Sequence, residues 1–218
     1  MRERARSAED KAERSEALLR AAEELAIELG GVRFMTVQAV TERAGMHRTG
    51  VRRYYSSREE LLLSLAEREW DAWRAAVVSA IPDDGPLGPR EAAVIVAETI
   101  TGRPVFCDLL THVTLTLEGD VDEERARQYK AAAFAAHDDI IRALAGASTM
   151  TPDQLGALLS ATLALAANGW QVAHPTPTLA ALYEKVPEWG HVAFDFTGRL
   201  KLLLQALAIG LTSTPPDS

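Results

Sequence analysis

Residues 36–58 read TVQAVTERAGMHRTGVRRYYSSR, and this stretch decides the fold. Val37, Val40 and Ala44 recur at helical spacing as one apolar stripe, behind Thr36 as a good N-cap. Gly45 follows directly, and glycine readily takes the left-handed backbone that ends a helix. Met46 then turns back into the core, and Val51 and Tyr54 carry the buried face into a second helix. Gly50 weakens that helix by about 1 kcal/mol against alanine, so tertiary packing must supply the difference. Ser57-Arg58-Glu59-Glu60 has the capping-box pattern ahead of Leu61-Leu62-Leu63, which starts a long helix. The whole is a helix-turn-helix. Its second helix displays His47, Arg48, Thr49, Arg52, Arg53 and Tyr54, a cationic and aromatic face that fits a B-DNA major groove.

Charge points the same way. The chain carries a formal net charge of −8, yet residues 31–58 hold Arg33, Arg43, Arg48, Arg52, Arg53 and Arg58 against Glu42 alone. A basic window in an acidic chain marks a local surface for a polyanion. His47, Arg48, Thr49, Arg52 and Arg53 are the residues expected nearest base edges. Thr36, Tyr54 and Arg58 are expected to hold phosphates. Arg2, Arg4 and Arg6 offer further contacts, diluted by Glu3, Glu9 and Asp10.

Residues 17–63 resemble the amino-terminal domain of the tetracycline-repressor (TetR) family of bacterial transcription regulators. The resemblance runs through Ala17-Leu18-Leu19-Arg20-Ala21-Ala22, Leu25 and Gly30, then Met35-Thr36-Val37 and Ala44-Gly45-Met46, and ends in Tyr55-Ser56-Ser57-Arg58-Glu59-Glu60-Leu61-Leu62. The family usually has alanine where Thr41 stands, Gly-Thr-Leu-Tyr where Thr49-Gly50-Val51-Arg52 stands, and often lysine where Arg58 stands. The usual tyrosine donates to a phosphate; Arg52 offers a charged contact in its place, and Arg58 keeps the charge with a bidentate fork. The resemblance implies a DNA-binding regulator, a repressor by family habit, whose carboxy-terminal domain senses a small molecule and forms a homodimer.

The rest of the chain frames that reading. Its 218 residues are 47% hydrophobic, enough for a substantial core. Long alternating strand patterns are missing, and Ala, Leu, Glu and Arg dominate, so an all-α fold is expected. A single cysteine, Cys107, excludes an internal disulfide framework and suits a reducing cytoplasm. The charged start MRERARSAEDKAERSE lacks the apolar core of a signal peptide, and no run of eighteen apolar residues suggests a membrane span. The expected division is a DNA-binding domain over 1–56, with a mobile arm over about 1–12, and an effector-binding and dimerisation domain over 57–218. Helices are expected at 13–29, as the helix-turn-helix pair within 36–55, and at 57–80, 89–102, 104–117, 122–145 and 151–173, with a short one inside 178–192, a last one at 194–211 and a frayed tail.

Two of these helices bear on assembly. Leu155, Leu158, Leu159, Leu163 and Leu165 wrap the helix over 151–173 together with small residues. Leu200, Leu202, Leu203, Leu204 and Leu207 nearly encircle the last helix. A helix apolar all round must be buried. Leu155, Leu159, Leu163, Leu200, Leu203, Leu204 and Leu207 are therefore assigned to a two-fold four-helix bundle between two copies. Such a dimer reads half-sites about 34–36 Å apart, or a multiple, on a palindromic double-stranded operator.

Candidate effector contacts are polar or aromatic groups in apolar surroundings: Phe106, His112, Tyr129, Asn168 and Trp170, with Thr111, Thr114, Phe134 and His174 nearby. Each also reads as packing; His112 also pairs naturally with Asp108 one turn earlier. Coupling to DNA is expected to pass through the helix at 57–80, which carries Trp70 and Trp73. No catalytic set is apparent. His137-Asp138-Asp139 and Cys107-Asp108 with His112 lack metal-site spacing, and no glycine-rich phosphate loop is present, so neither a metal nor a cofactor is expected. The alternative is a helical ligand-binding or adaptor protein that has lost operator binding.

Overall fold

The computed structural model describes residues 2–47, 50–83, 85–192 and 195–213, with side chains described from residue 10 onward and not for 190–192. Among them the regular elements are helical, and the one β-bridge, between Leu87 and Ser148, closes a corner of the bundle.

Helix α1 spans Arg2–Leu29. Its backbone is helical from Arg2, within the stretch expected from sequence as an arm. Leu18, Ala21, Ala22, Leu25 and Ala26 form its buried stripe. Gly30 ends it at φ 74°, with Gly30 N–H bonded to Ile27 O at 3.3 Å and Gly31 N–H to Ala26 O at 2.8 Å, the paired bonds of a Schellman terminus. A 3-10 turn at Val32–Phe34 leads into α2, Val37–Arg43. Thr36 caps α2 by accepting from Ala39 N–H at 3.1 Å. Gly45, at φ 66°, ends it as its sequence context requires, with Met46 N–H reaching Thr41 O at 3.0 Å.

The second helix of the motif differs from expectation. The described residues form a 3-10 turn at Val51–Arg53, not an α-helical rod. Gly50 N–H bonds His47 O at 2.7 Å, and a single α-type bond joins Tyr55 N–H to Val51 O at 3.0 Å. Gly50 and the β-branched Val51 lower its helix propensity. The buried aromatic is also shifted by one: Tyr55 is buried and hydrogen-bonds Ser15 Oγ at 2.8 Å, while Tyr54 is half-buried.

Helix α3, Arg58–Ala80, starts where the sequence places it. Ser57 Oγ accepts from Glu60 N–H at 3.1 Å, but the Glu60 carboxylate reaches one residue further back than a capping box, to Ser56 N–H at 2.5 Å. Helices α4 (Pro89–Thr101), α5 (Pro104–His112), α6 (Glu123–Ala147), α7 (Pro152–Ala173), α8 (Pro177–Lys185) and α9 (Phe196–Ser213) complete the chain. The expected helix over 104–117 is interrupted. After His112 it widens into a π turn, Val113–Leu117, where Thr114 and Thr116 hydroxyls bond back to Leu110 O at 3.4 Å and His112 O at 3.1 Å.

The core of the larger domain is aromatic. Trp70, Trp73 and Phe106 form a triangle with ring centroids 5.2–5.7 Å apart. Trp73 Nε1 donates to Thr99 Oγ1 at 3.1 Å, and Trp70 Nε1 to Tyr129 Oη at 3.2 Å. This triangle joins α3 to α4, α5 and α6.

Helix α9 packs against α4 and α7 of the same chain. That corrects part of the dimer assignment. Leu155, Leu159, Leu200 and Leu204 are buried within the single chain, and Leu163 and Leu207 are half-buried against its core. Of the seven leucines assigned to the interface, Leu203 is the exposed one, at 42%, beside Leu202 at 65%. The sequence reading took encirclement by leucine to mean burial on all sides. One stripe satisfies the monomer, and the stripe beyond it remains at the surface. Helix α7, 22 residues long, also contains an 18-residue window with the hydropathy of a membrane span by composition. Its inner face, Leu155, Leu158, Leu159, Thr162 and Ala166, is used for helix packing.

Candidate functional site

The cationic surface is narrower than the sequence count suggests, because several arginines are engaged within the chain. Arg43 turns toward α1, pairing with Glu24 at 3.5 Å and more closely with Glu28. Hydrogen bonding to Glu28 raises its pKa further. The Arg33 guanidinium lies over the Phe34 ring, 4.4 Å from its centroid. Arg58, assigned to phosphate from sequence, is directed inward. Its Nε donates to Met35 O at 2.9 Å and its Nη2 to Val32 O at 2.7 Å. It clamps the turn ahead of α2 to the start of α3, a structural role that the sequence did not assign to it.

Arg52 and Arg53 remain exposed on the turn after Gly50. His47 is exposed at the near end of the same segment, Tyr54 is half-buried at the far end, and Arg48 and Thr49 lie outside the described residues. Thr36 is exposed at the start of α2. Its oxygen accepts from Ala39 N–H, which leaves the hydroxyl hydrogen available to an outside acceptor. Thr41, where alanine is usual, is buried and donates to Val37 O at 2.6 Å, satisfying its hydroxyl inside α2.

These contacts separate the two roles of arginine by experiment. Arg58→Ala strips charged donors from two carbonyls and is expected to destabilise the fold by about 1.5–3 kcal/mol in urea unfolding. Arg58→Lys recovers only part, because one ammonium cannot reproduce the fork. A phosphate contact would instead appear as a reduced salt dependence of DNA binding without loss of stability.

The second site is a cleft of about 850 Å³ bounded by α3, α5 with its π turn, α6 and α7. Trp70 and Tyr129 line it on one side, and Leu110, Val113 and Leu163 add apolar wall. Of the five effector residues assigned from sequence, Tyr129 and Asn168 line this cleft; so do Thr111, Thr114 and Phe134. Phe106, His112 and Trp170 do not. Phe106 is fully buried in the tryptophan triangle. His112 sits 3.7 Å from Asp108 Oδ1, and burial lowers its pKa against the opposing pull of that carboxylate. Trp170 stacks on His174 at 3.6 Å and borders a separate cavity of about 200 Å³ between α1, α5 and α7. Sequence reasoning missed Glu118, Lys130, His137 and Gln171. They come from three separate elements and carry no shared local pattern.

The polar groups of the cleft are largely paired. Lys130 Nζ meets Glu118 Oε1 at 2.8 Å, so the two charges neutralise each other. Thr111 Oγ1 donates to Ala167 O at 3.0 Å. Tyr129 accepts from Trp70, and burial pushes its phenol up to about 12, so it remains a neutral donor. Cys107 is buried away from the cleft, its thiol pushed up to about 12 by burial, which removes it as a nucleophile.

Comparison with known proteins fits this architecture. A family model described as the tetracyclin repressor-like C-terminal domain matches residues 67–215. No curated protein matches the chain. Among solved structures, a possible TetR family transcriptional regulator from Streptomyces coelicolor A3(2) superposes with a TM-score of 0.56 at 16% identity, covering 91% of this chain and 98% of that one. At that identity the likeness is one of fold. The match over residues 67–215 carries the assignment, and with it this chain belongs to the TetR family of transcriptional regulators, a family of regulators rather than enzymes.

Proposed function

We propose that the chain acts in the cytoplasm as a homodimeric repressor of a palindromic operator, relieved or reinforced by a small molecule held in the α3–α7 cleft. The observation that carries this reading is the exposed Arg52–Arg53 pair on the turn that follows Gly45, with Thr36 also exposed at the start of α2, in an otherwise acidic chain. His47, Arg48, Thr49 and Tyr54 complete the contact set. Duplex DNA supplies the closely spaced negative charge that such a surface answers.

The test is a gel shift on the DNA upstream of the chain's own gene. Arg52→Ala with Arg53→Ala is expected to reduce affinity about 10- to 100-fold and to lower the steepness of the salt dependence by about two counterions. An intact fold with no retardation of any duplex at low salt would leave the helical ligand-binding or adaptor alternative. The 3-10 turn in place of an α-helix is the feature that keeps that alternative in play.

Two-fold pairing would use the outer faces of α7 and α9. Ala157 and Ala164 on α7 and Ala206 on α9 permit close helix approach, and Leu202, Leu203 and Val172 supply exposed apolar area. The cleft favours an uncharged, largely apolar ligand. Its Lys130–Glu118 ion pair is already neutral, and Tyr129 and Asn168 offer hydrogen bonds to a polar group on such a molecule. Helix α3 links the two sites: it begins beside the basic turn at Ser57 and carries Trp70 to the cleft.

A further inference from the structure

One buried carboxylate joins the two sites by a route that bypasses the length of α3 and meets it only at Arg58, its first residue. Asp108, on α5, is 6% exposed. Its Oδ2 accepts from Val32 N–H at 2.7 Å, across 76 residues of sequence. Its Oδ1 accepts from Gln171 Nε2 at 2.8 Å, and Gln171 lines the cleft. Val32 is held on its other side too, since its carbonyl accepts from Arg58 Nη2 at 2.7 Å while Arg58 Nε holds Met35 O. Met35 directly precedes Thr36, the cap of α2. A continuous set of hydrogen bonds therefore runs from Gln171 through Asp108 and Val32 to Arg58 and the base of the helix-turn-helix.

We infer that Asp108 is a positioning residue that transmits the state of the cleft to the DNA-binding domain through Gln171 and Val32. The inference rests on the cleft being the ligand site. Three features suit Asp108 to the task. A charged acceptor makes stronger bonds than a neutral one, so loss of either partner is felt at the other. The backbone of residue 31 also packs closely on the carboxylate, since a Cβ at Gly31 would lie 3.2 Å from Asp108 Oδ2. The roughly 200 Å³ cavity beside Asp108 leaves space for the side chain to shift when Gln171 moves. The same helix continues into the π turn whose Thr114 and Leu115 line the cleft, so a ligand there touches both ends of the α5–α7 contact.

Hydrogen exchange at the Val32 amide tests this on the full-length chain. Without any ligand, Gln171→Leu should speed Val32 exchange roughly three- to tenfold, the span expected for loosening one hydrogen bond. Amides of α3 and α4 and the urea midpoint should stay unchanged, which a general loss of stability would not allow. Equal Val32 exchange in both proteins overturns the inference. Nile red, a neutral apolar dye, serves as the cleft probe. With wild type its fluorescence should rise and Val32 exchange should change; with Gln171→Leu, at the dye concentration that its own fluorescence titration shows to fill the cleft, Val32 exchange should stay where it was. An equal dye-induced change in both proteins also overturns the inference. Dye that stays dark with wild type counts against the cleft as a ligand site, while the ligand-free comparison still decides the role of Asp108.

Discussion

Trp73→Ala is expected to destabilise the protein by about 3–5 kcal/mol, a large part of the roughly 5–15 kcal/mol that holds a domain together. Trp73 is fully buried between Trp70 and Phe106, and its indole donates to Thr99 on α4. Truncation opens a cavity where α3, α4 and α5 meet. The loss should be read from the urea midpoint, followed through Trp70, Trp170 and Trp189. Trp73→Phe should recover most of the packing and none of the bond to Thr99. A loss below about 1 kcal/mol would mean that the triangle relaxes around the gap, against the close packing assigned to it.

Leu202→Asp together with Leu203→Asp is expected to leave the fold intact and abolish pairing. Both side chains project from the exposed stripe of α9, so the monomer tolerates the change. In a two-fold interface the same change buries four carboxylates near one axis, each with a desolvation penalty of several kcal/mol. Sedimentation at micromolar concentration should show a monomer. Affinity for a duplex carrying both half-sites should fall about 10²- to 10⁴-fold, because the second half-site is no longer bound intramolecularly. Leu204→Asp is the contrasting control. Leu204 has no exposed surface within one chain, so its substitution should unfold the monomer rather than separate a dimer. A variant with both surface aspartates that still sediments as a dimer would place the interface elsewhere.

Local chemistry was legible wherever a few neighbouring residues decide the outcome. Thr36 and Ser57 cap the helices that follow them, and Gly45 takes the left-handed conformation that ends α2. Pro104 and Pro152 open α5 and α7. Partnership between distant residues was not legible in the same way. Arg58 looks like any surface cation in sequence, yet Val32 and Met35 carbonyls claim it from more than twenty residues away. His112 Nε2 lies 3.7 Å from Asp108 Oδ1, one turn away, but the two hydrogen bonds of Asp108 to Val32 and Gln171 come from other elements.

The all-helical class, the position of the turn and the basic window within an acidic chain follow from the sequence alone, because capping, glycine conformation and apolar periodicity act over one or two helical turns. Tertiary structure decided which leucines of α7 and α9 face inward, which arginines stay exposed, and that Tyr129 and Asn168 share a cleft while Phe106, His112 and Trp170 do not. Those outcomes depend on which helix lies against which face, and contact across dozens of residues is set by the packing of the whole bundle.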